Sequence, residues 1–325
     1  MGCGAVKFYI SPVHTAIPEN SAARSLARSW TSVYYPLLMR FCQFDENRLG
    51  LVENETVRDV TSVLDKLPSR RYPFPQGDAL IAMLPSLRDA ITTAARGASA
   101  KRLSDVHLLS PVANPSKVMG APVNYQKHLN EVTADPNLHH QNKAHMQAIH
   151  QSGFFLKANS SVVGPSQNVV IRHPDRRTDE EVELAVVIGK RAQAVPAGEA
   201  LEYVAGYCIG LDISIRGPEE RSLRKSVDTY TVLGPWLVTA DELADPSHLD
   251  LQISVNGELR QKANTRDLIL GIPALIEFAS SFYTLLPGDV LLSGTPEGVG
   301  PIQPGDIMRA AIERVGEMTV HVRAA

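Results

Sequence analysis

The chain has 325 residues, 44% of them apolar, and a formal net charge of −3. That length supports one large domain or two modest ones around a sizeable core. The near-neutral charge leaves no basic footprint for nucleic acid, and no apolar run reaches membrane-spanning length. The three cysteines, Cys3, Cys42 and Cys208, are scattered, which argues against a disulfide frame or a zinc motif and for a reducing, cytoplasmic compartment.

Residues 1–38 differ in composition from the rest of the chain: Arg24, Arg28 and several serines are set against a single acid, Glu19. This composition suits a transit peptide. The simpler expectation is an extension outside the core, with Met39 able to serve as initiator. From Met39 the pattern is one of short strands, 40–44, 49–53 and 56–60, separated by turns at 45–47 and 53–55. Pro68, Pro73, Pro75 and Gly77 mark a loop. Leu80, Leu84, Leu87 and Ile91 then recur at helical spacing over 78–96, with a break expected at Pro85. Residues 39–110 therefore read as a small N-terminal β/α domain. Pro111 and Pro115 lead into a larger one, 111–325.

An apolar strand ends at Gly120-Ala121-Pro122, and Asn124 is placed to cap a short helix. On that helix His128 and Glu131 are three apart and share a face. Such a carboxylate either orients the imidazole and raises its basicity or makes an ordinary surface pair. Residues 132–152 are polar and contain His139, His140, His145 and His150. Irregular spacing and the absence of cysteine argue against a metal cluster, leaving a flexible loop or a mobile lid. Gly153–Lys157 reads as a strand ending in a cation that could simply snorkel.

Thr178–Gly189 reads as one strand. Glu181, Glu183, Ala185 and Val187 share one face, and Val182, Leu184, Val186 and Ile188 the other. Two carboxylates about 6.5–7 Å apart by strand rise either lie at a solvated strand end or hold a hard divalent cation such as Mg²⁺, Mn²⁺ or Ca²⁺. An apolar strand over 204–211 leads directly into Asp212, a third candidate ligand, and Arg216 comes next as a candidate clamp for a substrate carboxylate. A charged loop, 218–224, precedes Lys225. A hairpin turns at Asn256-Gly257, and a helix over 272–285 carries a stripe of Ile272, Leu275, Ile276, Ala279 and Phe282. The glycine-rich loop 293–300 offers backbone amides to an anion, but without Gly-Lys-Ser/Thr it is no P-loop. A final hairpin, 307–314 with 318–323, ends the chain.

Together, several motifs resemble the fumarylacetoacetate hydrolase superfamily. They are Asn-Tyr-x-x-His-x-x-Glu at 124–131, Phe-Leu-Lys at 155–157, Glu-Val-Glu-Leu at 181–184, Asp212-x-Ser-x-Arg216, Lys225-Ser-Val-Asp, Gly234-Pro-Trp, Val255-Asn-Gly-Glu, Pro287-Gly-Asp and Gly294-Thr-Pro-x-Gly-Val-Gly. In order and spacing they cover roughly residues 110–323. The resemblance implies a strand-rich α+β fold, with a mixed β-roll catalytic domain and usually a homodimer. It implies Mg²⁺ or Mn²⁺ on Glu181, Glu183 and Asp212. It implies a small oxo-acid substrate, held by Tyr125, Arg216, Glu219 and Thr295, and no nucleic-acid or membrane partner. Lys157 and Lys225 would stabilise enolate charge, and His128 with Glu131 would activate water for carbon–carbon hydrolysis of an acylpyruvate in aromatic-compound catabolism. The alternative within the family is a decarboxylase or isomerase of 2-oxo or 2-hydroxymuconate-type diacids, oxaloacetate included, which needs no water base. Two departures stand out: Glu219 occupies the position of a glutamine that orients the oxyanion, and the loop before Lys225 is shorter and more basic, with Arg221 and Arg224. The second departure implies a more acidic substrate tail.

Overall fold

In the computed structural model, which describes residues 39–325, the strand Val182–Ile188 is buried at every position. Both of its faces are covered. Val182, Leu184, Val186 and Ile188 enter the larger core with Ile209, Leu211 and Leu291. Ala185 and Val187 enter a second core with Ile81, Leu84, Leu87 and Ile91 of the helix Ala79–Gly97. A strand covered on both faces reads as a near-continuous apolar run, and the five residues after Glu183 are all apolar for that reason. The expectation for residues 1–38 lies outside the described residues.

Around this strand runs a mixed sheet of twelve strands. Its main path passes from Ala100–Arg102 through Thr56–Asp59, Arg48–Glu53 and Arg40–Phe44 to Thr231–Thr239 and Val204–Asp212. It continues through Val182–Ile188, Val290–Leu292 and Val118–Gly120 to Phe155–Lys157. The early strands thus extend the same sheet, since Arg40 and Phe41 pair with Val238 and Leu237. A five-stranded sheet joins Glu258–Asn264, Asp250–Val255, Ile307–Ile312, Gly316–Ala324 and Val169–Ile171. The architecture is α+β and strand-rich, and its sheets are open. Among the described residues no helix is long and apolar enough to cross a membrane.

Three local expectations are corrected. The helix Ala79–Gly97 runs through Pro85 without a break; Pro85 sits on the exposed side, while Ile81, Leu84, Leu87 and Ile91 are packed into the core. In the helix Ile272–Phe282 the stripe is buried as far as Ala279, but Phe282 is 72% exposed. It meets Phe278 edge-on, with ring centroids 5.4 Å apart.

The third correction decides the site. Residues 178–188 are two strands, not one. Thr178–Glu180 belongs to a three-stranded sheet with Ser214–Ile215 and Gly300–Pro301. Val182–Ile188 belongs to the twelve-stranded sheet. The neighbouring segment changes sheets beside it, Val204–Asp212 lying in the large sheet and Ser214–Ile215 in the small one. Asp212 N–H donates to the Glu181 carbonyl at 2.9 Å, so both acids stand side by side where the two segments leave one sheet for the other.

Candidate active site

Glu181, Glu183 and Asp212 are all buried, and one carboxylate oxygen from each lies within 4.8 Å of the other two. Neighbouring cations neutralise them unevenly. Lys225 Nζ donates to Glu181 Oε2, Asp212 Oδ2 and Ser214 Oγ, each at 2.6 Å. Lys157 Nζ donates to the other Asp212 oxygen, and to the Tyr230 carbonyl at 3.0 Å. Arg216 donates to Glu181 Oε1 at 2.8 Å and to Asp179 Oδ2 at 2.7 Å. Glu183 receives only a backbone donor, Gly294 N–H at 2.5 Å, and meets no cationic side chain within 4.0 Å among the described residues.

The titration behaviour is set by that imbalance. Burial raises a carboxyl group, but at Glu181 Lys225 and Arg216 overcome it and hold the group far below its ordinary value. At Glu183 burial, reinforced by Asp212 and Glu181, pushes the carboxyl well above 4.5. Burial also depresses Lys157, against the attraction of Asp212. Arg216, with its side chain 8% exposed, stays raised because Glu181 and Asp179 outweigh its burial. Three convergent carboxylate oxygens, one of them on a group with no cationic side chain in contact among the described residues, fit a hard divalent cation. These are oxygen ligands with no thiolate among them, so the set suits Mg²⁺ or Mn²⁺ better than zinc.

The dyad forms beside this group. His128 is buried on the helix Gln126–Ala134, and its Nδ1 lies 2.8 Å from Glu131 Oε2. The second Glu131 oxygen accepts from Gly298 N–H at 2.9 Å, so the glycine-rich loop fixes the carboxylate that fixes the ring. His128 is close enough to Glu181 to help lower it. Asn124 does not cap that helix. It is fully buried, donates to the carbonyls of Leu270 (2.9 Å) and Ser293 (2.8 Å), and accepts from Leu270 N–H (2.8 Å). It therefore ties the segment before the helix to the loop that holds Glu183.

The remaining sequence-derived residues fall into place unequally. Tyr125 is buried with its hydroxyl unpartnered, and burial and the nearby Glu183 carboxyl raise it. The Thr295 hydroxyl donates to the Val182 carbonyl (3.0 Å) and accepts from Gln261 Nε2 (2.8 Å), which makes it a brace of the strand break. Arg216 faces two acids of the chain itself. Glu219 forms a two-point pair with Arg176 at 3.0 and 2.8 Å. The polar stretch 132–152 carries short helical turns, Pro136–His139, Lys143–Met146 and Ile149–Ser152, with His145 and Ile149 buried. Sequence reasoning passed over Asp179, Ser214 and Gln261. Asp179 stood in the same acidic run as Glu181, and Ser214 in the Asp-x-Ser-x-Arg motif. Nothing near Gln261 marked it, because its partners lie at least 34 residues away.

Residues 117–323 match the family model for the C-terminal part of fumarylacetoacetate hydrolase. The chain is 57% identical over 286 residues to a maleylpyruvate hydrolase of Aquipseudomonas alcaligenes, taking in 88% of this chain and all 100% of that one. It is 32% identical to the mitochondrial oxaloacetate tautomerase of Xenopus laevis, covering 94% of both chains. Among solved structures, maleylpyruvate hydrolase from Sphingobium sp. SYK-6 in complex with manganese(II) and pyruvate is similar at a TM-score of 0.73 and 39% identity, over 88% of this chain and 100% of that one. The matched segment takes in the carboxylate group, both lysines and the dyad, and the chain belongs to the fumarylacetoacetate hydrolase family.

Proposed function

We propose that this protein is a divalent-metal-dependent hydrolase that cleaves the carbon–carbon bond of a small 2,4-dioxo acid of the acylpyruvate type, with a maleylpyruvate-like diacid as its substrate class. The observation that carries the reading is the buried carboxylate triad with one uncompensated member, set beside a braced His–Glu pair. Glu181, Glu183 and Asp212 would hold Mg²⁺ or Mn²⁺. When bound, the dication supplies Lewis-acid polarisation of the oxo-acid head.

The chain's own residues do the rest. Glu131 accepts at His128 Nδ1, so the ring proton stays on Nδ1 and Nε2 is left as the base. Nε2 takes a proton from water, and the hydroxide adds to the carbonyl farther from the oxo-acid head. The bond between that carbonyl carbon and the methylene carbon then breaks. Its electron pair leaves on the methylene carbon as the enolate of pyruvate, and the acyl part departs as a carboxylic acid. Lys225 and Lys157 balance the enolate charge. The proton taken up by His128 returns to the methylene carbon, which completes pyruvate. Arg216 acts as a positioning residue, donating to Glu181 Oε1 and to Asp179 Oδ2 and so fixing the Glu181 carboxylate. We take residues 39–110 as a small N-terminal domain that shares a sheet and a core with the catalytic domain, 111–325, and the protein as a cytoplasmic homodimer.

Similarity to an oxaloacetate tautomerase keeps a second reading in view, in which a 2-oxo diacid is isomerised or decarboxylated through the same enolate. That route needs no water base. The test is turnover of an acylpyruvate and of oxaloacetate by metal-stripped protein with Mn²⁺ restored, in wild type, His128→Ala and Glu131→Ala. The expected result is metal-dependent acylpyruvate hydrolysis that falls about 10²–10⁴-fold in His128→Ala and less in Glu131→Ala, with Mn²⁺-dependent thermal stabilisation kept in both. Wild-type hydrolysis rates without His128 would move the water base elsewhere. Turnover of oxaloacetate alone would put the second reading first.

A further inference from the structure

The short helix Arg221–Lys225 carries three cations, of which one meets carboxylates. Lys225 reaches Glu181 and Asp212. Arg221 lies four residues earlier, on the same helix face. The two share one aromatic neighbour: Lys225 Nζ is 5.0 Å and the Arg221 guanidinium 6.0 Å from the centroid of the Phe155 ring. Arg224, 4% exposed, is fixed by the Ile215 carbonyl and the Glu219 carbonyl, both at 2.9 Å.

Neither Arg221 nor Arg224 has a carboxylate within 4.0 Å among the described residues. The acids nearest in sequence are occupied. Glu219 is held by Arg176, and Glu220 accepts from Ser222 N–H at 2.6 Å. Arg221 has one long contact, 3.5 Å to the Ala144 carbonyl. His145 Nε2 faces the donors Arg224 Nη2 at 3.3 Å and Asn142 Nδ2 at 3.4 Å, so the imidazole accepts there and is neutral. Burial, with Arg224 and Arg221 beside it, pushes His145 down to about 4. Burial, with Arg216 and Arg221 beside it, pushes Arg224 down to about 10. Arg224 is thus positive charge held out of water with no carboxylate in contact among the described residues, an arrangement that is costly unless an anion completes it.

We infer that Arg221, backed by the buried charge of Arg224, receives the carboxylate at the far end of the substrate and so selects dicarboxylic acylpyruvates over those with a neutral tail. The inference rests on the hydrolase reading above for the placement of the oxo-acid head at the triad and Lys225. One helical turn, about 5–6 Å between side-chain origins, separates Lys225 from Arg221, and a few carbon–carbon bonds span that length. The Phe155 ring, near both cations, gives the connecting carbons an apolar wall. Arg221 offers its guanidinium in the fork that pairs with a carboxylate at two points, a geometry lysine lacks.

The test uses Mn²⁺-loaded, full-length protein and needs no turnover. Affinity for 2-oxoheptanedioate is compared with that for 2-oxoheptanoate, the same chain with a neutral end, by calorimetry in wild type, Arg221→Ala and Arg221→Lys. Wild type should favour the diacid about 10–100-fold, the scale of one charge-assisted hydrogen-bonded pair. Arg221→Ala should abolish that preference and Arg221→Lys should recover part of it. Wild type binding both equally, or Arg221→Ala keeping the preference, overturns the inference, whatever the enzyme hydrolyses. If wild type hydrolyses no acylpyruvate but the preference is present and lost in Arg221→Ala, the hydrolase reading fails and the anion seat stands.

Discussion

Glu183 is where the charge of the site is out of balance, and its behaviour with pH reports on the metal. Its folded value lies above the ordinary 4.5 because burial, Asp212 and Glu181 all oppose ionisation. In metal-free protein the stability contributed by this group is therefore greatest below about 4.5 and is lost as pH rises toward the raised value. A dication takes the proton's place, so binding should release a proton wherever Glu183 is still protonated, and affinity should rise with pH. Calorimetry in buffers of different ionisation enthalpy measures that proton. Glu183→Gln should remove both the proton release and the Mn²⁺-dependent rise in melting temperature. The metal-free variant should be at least as stable as metal-free wild type at pH 8. A metal-dependent rise that persists unchanged in the variant would take Glu183 out of the ligand set.

At the scale of elements, the site depends on a strand that changes sheets at Glu181. Leaving a sheet orphans backbone groups, and buried orphans are costly. Gln261, fully buried in the strand Glu258–Asn264, resolves this. Its side-chain oxygen accepts from Val182 N–H at 2.9 Å, and its nitrogen donates to the Thr295 hydroxyl and the Pro296 carbonyl, each at 2.8 Å. One amide thus links the strand break, the glycine-rich loop and the five-stranded sheet. Gln261→Leu keeps the volume and removes all three bonds. The expected loss is about 2–4 kcal/mol in denaturant unfolding, with weaker Mn²⁺ binding because Glu181 adjoins the orphaned Val182 amide. Unchanged stability would mean that water replaces the amide and that the break is held by the strands alone.

Over the whole molecule, the face of the large sheet behind the site is closed by the early part of the chain. Ala185, Val187, Cys208, Leu233, Leu237 and Leu292 share one core with Met39, Phe41, Leu51 and the helix Ala79–Gly97. A fragment of residues 111–325 keeps the residues matched to the family but exposes that apolar face. It should be poorly soluble, or bind a hydrophobic dye and lack near-ultraviolet circular dichroism. A soluble fragment with a sharp, Mn²⁺-dependent melting transition would show that the catalytic part folds without this cover.

The sequence alone determined what is carried by spacing along the chain. Glu181 and Glu183 sit two apart at the head of an apolar strand, Asp212 ends the next, and His128 and Glu131 lie three apart on a helix; alternation and helical periodicity are properties of backbone geometry. The ordered motifs around them were enough to point to the family and the strand-rich fold. Tertiary structure decided everything that depends on partners distant in sequence. It split the strand at Glu181, set Asp212 against it and recruited Gln261. It turned Asn124 from an expected cap into a cross-link and engaged Arg216 and Thr295 with the protein itself. It left Arg221 and Arg224 with no carboxylate in contact among the described residues. Which charges are compensated inside a protein depends on who arrives from other strands, and no local pattern encodes that.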